Sequence, residues 1–370
     1  MEVTRMTKNR TAIKVRKVQK PTYFIDSTRL RRYDQENLIF NRIFTDPTFT
    51  SYKRTEEEQA LKNIKEGKTG HTRIDYALAE ASWTLHDVWR QGYHWERLKR
   101  PDGSSLTGDK WYRGRHKIVD VKQITSQLKR ASKFFGASLA GITEINEKWI
   151  YANSRKNLEP LELQEGVRYT VVLAIEMDPV AIATSPECVA AAATGLGYSK
   201  MTLLASSLAE FIRNLGYTAI PAGNDTGISI PLVIDAGLGQ LGRNGLLITP
   251  EHGPRVRLCK VFTDLPLVTD NPIDFGVTDF CKSCRLCAEA CEADAISFKR
   301  EPTWEPECRS NNPGALKWYV NSEKCYQFWC ENGTDCSTCI AVCPYNNGPE
   351  KISSDKFWSE EQSEEDSRYV

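Results

Sequence analysis

The sequence predicts a mixed fold, α/β in local order and α+β in plan, with an α/β core over about residues 120–270 followed by a compact cysteine-rich module. Three observations carry this. Two amphipathic helical stripes each stop at a glycine, and β-rich runs lie between and after them. Ten of the twelve cysteines fall between residues 281 and 343.

Taken in order, residues 1–55 are polar and show no sustained periodicity. Residues 56–66 and 73–95 read as helices, and 98–118, with Pro101, Gly103 and Gly114, as a long loop. Val121, Ile124, Leu128, Ala131 and Phe135 recur at three and four residues and end at Gly136, and Met201, Leu204, Leu208, Phe211 and Leu215 repeat the pattern before Gly216. The apolar, β-branched runs 169–175, 228–234 and 256–262 read as strands. The expected division is an N-terminal region (1–119), a core (120–272), a cysteine module (273–350) and an acidic tail (351–370).

With 370 residues, 40% apolar content and a net charge of +1, the chain has the composition of a globular protein and offers no electrostatic case for nucleic acid. Basic residues from Arg5 to Lys20 and the acidic tail Glu360 to Asp366 read as solvated ends. No apolar run reaches the roughly 18 residues that span a bilayer, and none makes a signal-peptide core. Arg31-Arg32 is followed by Tyr33-Asp34-Gln35-Glu36-Asn37, where an export signal needs an apolar stretch. The chain as written therefore reads as soluble.

Cys281, Cys284, Cys287 and Cys291 write C-x2-C-x2-C-x3-C; Cys336, Cys339, Cys343 and Pro344 write C-x2-C-x3-C-P, with Cys325 upstream. A cubane cluster takes three thiolates from one tight turn and a fourth from elsewhere, so this spacing predicts two 4Fe-4S clusters and one-electron transfer. In two-cluster modules the fourth cysteine of each run ligates the other cluster. Carried onto this chain, Cys281, Cys284 and Cys287 pair with Cys343, and Cys325, Cys336 and Cys339 with Cys291. Zinc and disulfides are the competing readings, but zinc has no use for a third cysteine at three-residue spacing. The eleven-residue step from Cys325 to Cys336 suggests an inserted loop with a further task. Cys188, Cys259, Cys308 and Cys330 have no partner spacing and read as small buried hydrophobes.

Gly237-Leu-Gly239-Gln-Leu-Gly242 has the form of the dinucleotide fingerprint G-x-G-x-x-G, but Pro250, Gly253 and Pro254 interrupt the helix that motif requires, and its acid is missing. Close approach of Gly237, Gly239 and Gly242 to a large planar cofactor fits better.

From residue 208 to 267 the chain reads LAEFIRNLGYTAIPAGNDTGISIPLVIDAGLGQLGRNGLLITPEHGPRVRLCKVFTDLPL and runs through PIDFGVTDFC into the cysteine runs. This stretch, with the broken second cysteine motif, resembles the corrinoid- and iron-sulfur-dependent reductive dehalogenases, those acting on tetrachloroethene and chloroalkanes in particular, over about residues 120–345. The resemblance implies a nitroreductase-like core burying base-off cobalamin, joined to a ferredoxin-like domain whose nearer cluster feeds the cobalt. None of His71, His86, His94, His116 and His252 sits in a D-x-H-x-x-G corrinoid motif, in keeping with that.

By the same resemblance, Thr194 to Tyr198 is the family's T-x3-Y segment and Tyr198 the proton donor. Arg257, in G-P-x-V-R, is the cation that stabilises its phenolate, and Asn224 stands beside the pair. Trp329 walls the substrate pocket from the loop after Cys325, with Trp83, Trp89, Trp95 and Tyr112 as further aromatics. A phenol of reference pKa near 10 needs such help, and the N-terminal end of a helix starting near Tyr198 is expected to add to it. The implied reaction replaces the halogen of a small organohalide by hydrogen, using Co(I). The implied partners are an upstream electron donor, a small membrane anchor protein and a second copy in a homodimer, with no nucleic acid. The usual twin-arginine leader is not in the chain, so the expected setting is the extracytoplasmic membrane face after leader removal, or the cytoplasm if the chain is complete as written. The alternatives are an epoxyqueuosine reductase-like enzyme acting on transfer RNA, which uses an aspartate in place of the tyrosine, and a ferredoxin-type electron carrier.

Overall fold

The computed structural model describes residues 4–7, 10–89, 93, 102, 114–154 and 159–359. At its centre is a four-stranded antiparallel sheet in the order Leu139–Glu144, Tyr169–Glu176, Val256–Thr263, Ala219–Ala222. The middle two strands are built of β-branched and apolar residues buried along nearly their whole length, as strands covered on both faces must be.

Two helices cover one face. Val121–Phe134 starts on Asp120, whose carboxylate accepts from Lys122 N and Gln123 N at 2.8 and 3.1 Å, and the chain turns at Gly136 with φ +109°. Cys188–Asn214 is the long helix, closed by Gly216 at φ +83°. Leu128, Leu204, Leu208 and Ile212 from these helices pack with Val171, Leu173 and Val261 of the sheet. The other face is covered by Ser229–Asp235 and by the segment around Leu30 and Trp149.

The N-terminal region wraps this core. Arg16–Lys17 pairs with Ile273–Asp274, and Phe24–Ile25 with Ala315–Leu316, so one segment is tied to the chain on both sides of the first cysteine run. Ile39–Thr45 and Pro47–Glu66 follow, and then Arg73–Val88, which is capped by the Thr72–Asp75 box and lies along the long helix. Pro47–Glu66 packs on Ser322–Asn332; Asn63 Nδ2 donates to Asn332 O at 2.9 Å, and Arg42 pairs with Glu323. Among the described residues no helix is long and apolar enough to cross a membrane.

Several expectations need correction. The run 228–234 is not a strand but the helix Ser229–Asp235: a short apolar stretch does not by itself distinguish the two, and Pro231 lies in the first turn, where its missing N–H costs nothing. The helix expected over 73–95 ends at Val88, and the one expected over 56–66 begins at Pro47. Strands Leu139–Glu144 and Ala219–Ala222 were not anticipated. The step after Cys325 is no loop, since Ser322–Asn332 is helical and ends at Gly333 with φ +80°. Of the loop expected over 98–118, most lies outside the described residues.

Candidate active site and cysteine module

The site forms where the long helix meets the strand Val256–Thr263. Tyr198 stands ten residues into Cys188–Asn214, which corrects the expectation of a helix starting near it. The alanines Ala190 to Ala193 extend the helix upstream, and a macrodipole acts only over its first turn. What meets the phenol is therefore side chains rather than a helix end. Asn224 Nδ2 donates to Tyr198 Oη at 2.7 Å. The Arg257 guanidinium sits 5.2 Å from the Tyr198 ring centroid, where a cation meets the electron-rich face. With Oη accepting from Asn224, the phenol proton can point at another acceptor.

Each of these groups is held in turn. Arg257 donates through Nη2 to Thr194 Oγ1 at 2.9 Å and through Nε to Met177 Sδ at 3.2 Å. Asn224 follows the strand Ala219–Ala222 in a turn pinned from beneath by Lys260. That side chain is fully buried on the opposite sheet face from Arg257 and donates from Nζ to Gly223 O and to Ser229 Oγ at 3.1 Å. Burial pulls the Lys260 ammonium down to about 8, opposed by the charge of Asp225. Asp335 lies behind Arg257 and Thr194: burial pushes its carboxyl up to about 6, while both neighbours pull it back, and its buried Oδ1 has no hydrogen-bond partner among the described residues.

Trp83 stacks on Tyr198 at 4.8 Å and 23°, and His86 meets its edge at 5.3 Å and 71°. The helix Arg73–Val88 brings them there, tied by Ser199 Oγ, which donates to Ser82 O at 2.6 Å and accepts from His86 N at 3.2 Å. Two glycines make the fit possible. A Cβ on Gly195 would stand 2.5 Å from Trp83 Cδ1, and one on Gly197 would stand 2.7 Å from Arg257 Cγ. Sequence reasoning missed Gly195, Gly197, His86, Asp335 and Lys260, although T-G-L-G-Y, with two glycines around one helical turn, was a signal of close approach.

The Trp329 ring packs on Phe40 at 5.7 Å and Tyr326 at 6.4 Å, beside Ile39, Ile43 and Phe49, and among the described residues no ring contact joins it to Tyr198. Trp89 is exposed, and Trp95 and Tyr112 lie outside the described residues.

Gly237 and Gly239 follow the helix Ser229–Asp235 and lead into the hairpin of Gln240–Leu241 with Leu247–Ile248, and Gly242 lies in the turn of that hairpin. The close approach seen is to the chain itself: a Cβ would stand 2.2 Å from Asn271 O at Gly237, 2.2 Å from Ile248 O at Gly239 and 2.8 Å from Asn244 Oδ1 at Gly242.

In the module, one cavity is lined by Cys281, Cys284, Cys287 and Cys343 together with Arg243 and Asn244. The remaining four motif cysteines form a second neighbourhood, in which Cys325 feels the charge of Cys336 and Cys291, and Cys339 that of Cys336 and Cys325. All twelve cysteines are free thiols; Cys188, Cys259 and Cys330 are buried, and Cys308 is half-buried. Burial pushes Cys287, Cys325 and Cys343 up to about 12 and Cys339 well above the usual thiol range. Thiolates would form there only against strong positive charge, which iron supplies. Among the described residues no three His, Cys, Asp or Glu are arranged to hold a single metal ion.

Residues 280–347 match the family model of the 4Fe-4S dicluster domain. The chain is 38% identical over 295 residues to a tetrachloroethene reductive dehalogenase of Desulfitobacterium hafniense, covering 69% of this chain and 52% of that protein. It is 34% identical over 320 residues to the tetrachloroethene reductive dehalogenase of Sulfurospirillum multivorans, covering 77% and 64%. The chain belongs to the reductive dehalogenase family. It spans about half to two thirds of the length of these relatives. A solved reductive dehalogenase, described with a mechanism for B12-dependent dehalogenation, superposes with a TM-score of 0.68 at 25% identity, covering 91% of this chain and 44% of that one. The mixed helix-and-strand core with a C-terminal ferredoxin-like dicluster domain is thus the reductive dehalogenase architecture.

Proposed function

We propose that this chain carries out reductive dehalogenation of a small organohalide, R–X + 2e⁻ + H⁺ → R–H + X⁻. The observation that carries the reading is the triad of Tyr198, Asn224 and Arg257 on the core, with two neighbourhoods of four cysteines behind it. Bound cobalamin would supply the low-valent cobalt that cleaves the carbon–halogen bond. Tyr198 presents the proton, Asn224 holds its oxygen, and Arg257 lowers the cost of the phenolate left behind. Trp83 and His86 close one side against water. Cys325, Cys336, Cys339 and Cys291 hold the inner cluster, since Asp335, next to Cys336, reaches Thr194 of the site; Cys281, Cys284, Cys287 and Cys343 hold the outer one. An upstream electron donor, a membrane anchor subunit and an extracytoplasmic setting belong to the same proposal.

The test is metal analysis and halide release by the anaerobically loaded chain with chlorinated ethenes, alkanes and phenols and a low-potential dye. About one cobalt and about eight irons per chain, with halide released, are expected. Full iron without cobalt would instead leave the ferredoxin-type carrier standing. The epoxyqueuosine reductase-like alternative is less supported, as it calls for an aspartate where Tyr198 stands.

Gly197→Ala tests the fit around Arg257. Alanine is the better helix former by about 0.5–1 kcal/mol, yet its Cβ would press on Arg257 Cγ. Overpacking costs about 1–3 kcal/mol, so the unfolding temperature is expected to fall slightly while kcat/KM for halide release falls on the order of tenfold to a hundredfold. Unchanged kcat/KM would mean that the placement of Arg257 does not limit the reaction.

A further inference from the structure

The glycine-rich segment that ends at Gly242 delivers the next two residues out of the core and between the cysteine loops. Arg243 is only 1% exposed, and its hydrogen bonds all go to carbonyls. Nε donates to Cys281 O and Cys284 O, both at 3.1 Å, and Nη2 also donates to Cys281 O. Nη1 donates to Ser297 O and Lys299 O, both at 2.7 Å. The guanidinium lies 4.6 Å from the Trp318 ring centroid, and Trp318 Nε1 donates to the same Lys299 O at 2.9 Å. No carboxylate pairs with Arg243 among the described residues. Its neighbour Asn244 donates to Cys339 O at 3.3 Å, on the loop of the other cysteine set.

A buried guanidinium without a counter-charge is costly. Carbonyl oxygens satisfy its N–H groups but leave its charge unneutralised. What faces that charge is the cavity lined by Cys281, Cys284, Cys287 and Cys343. A cluster ligated there by four thiolates is net negative and becomes more negative by one charge on reduction. A fixed cation in a poorly screened interior favours the more negative state.

We propose that Arg243 sets the reduction potential of the cluster held by Cys281, Cys284, Cys287 and Cys343, favouring its reduced form, while Asn244 ties that cluster's surroundings to the second cysteine loop. Arg243 acts here as a positioning residue. The proposal rests on the two-cluster reading above and extends it to a division of labour. The charge that tunes the outer cluster thus comes from the core and not from the cysteine module itself.

The test is a redox titration of the loaded full chain, followed by electron paramagnetic resonance, with iron measured in each sample. Arg243→Met removes the charge, and Arg243→Lys keeps it while losing the fork. In Arg243→Met the reduction equilibrium of one cluster is expected to fall at least tenfold, about 59 mV for one electron, with the other cluster unmoved. In Arg243→Lys it is expected to stay within about threefold of the parent. Full iron with neither cluster shifted in Arg243→Met, or both shifted equally, overturns the proposal. If Arg243→Met does not load, Arg243→Lys decides: a tenfold fall despite the retained charge overturns it. A parent chain without iron would instead sink the two-cluster reading, so the two failures are distinguishable.

Discussion

Replacing Tyr198 by phenylalanine is expected to lower halide release by on the order of 10²- to 10⁴-fold, the range that general-acid catalysis contributes. Iron, cobalt and unfolding temperature should remain at parental values. The variant is clean because only the hydroxyl goes. The ring stays to stack on Trp83 and to lie beneath Arg257, and the Asn224 amide that loses its acceptor is exposed and hydrates again. Release undiminished in fully loaded Tyr198→Phe would move the proton donor elsewhere.

Cys325→Ala is expected to abolish halide release altogether, through a different failure. Cys325 lies on Ser322–Asn332, facing Cys336 and Cys291, and burial lifts its thiol to about 12, which fits a residue that ionises only against metal. Without it the inner cluster is lost: iron should fall to about half, one of the two paramagnetic signals should vanish, and reductant should no longer reach the corrinoid. The helix itself should persist, held by Asn63 on Asn332 and Arg42 on Glu323. Retention of all the iron in Cys325→Ala would refute the assignment of Cys325 as a ligand. Together the two variants separate proton delivery from electron delivery.

Much of this was legible from residue spacing because cysteine ligation is a local constraint. Three-residue steps within one turn leave few other uses, so the two cysteine groupings could be named before any coordinates. Helix ends at Gly136 and Gly216 were legible for a similar reason, since an apolar stripe followed by glycine specifies a stop by itself. Tyr198, Asn224 and Arg257 came from the family resemblance, and folding brings them together from a helix, a turn and a strand. What escaped was tertiary. The run 228–234 could be helix or strand until packing decided, and Lys260 reads as an ordinary strand lysine until its ammonium is found under Gly223. The helix through Tyr198 was cut short because 188–200 is rich in alanine and glycine and carries no clear stripe, being buried nearly all round.

The pairing of Arg16–Lys17 with Ile273–Asp274 and of Phe24–Ile25 with Ala315–Leu316 imposes an order on assembly. On the ribosome, these early segments emerge 256 (273 − 17) and 290 (315 − 25) residues before their partners, a separation that makes such contacts late ones in folding. The central sheet and its helices can collapse first, on shorter loops. Neither lacing pair can form until the chain has been made past residue 274 or 316, so the N-terminal segment is laid on last over a core already in place.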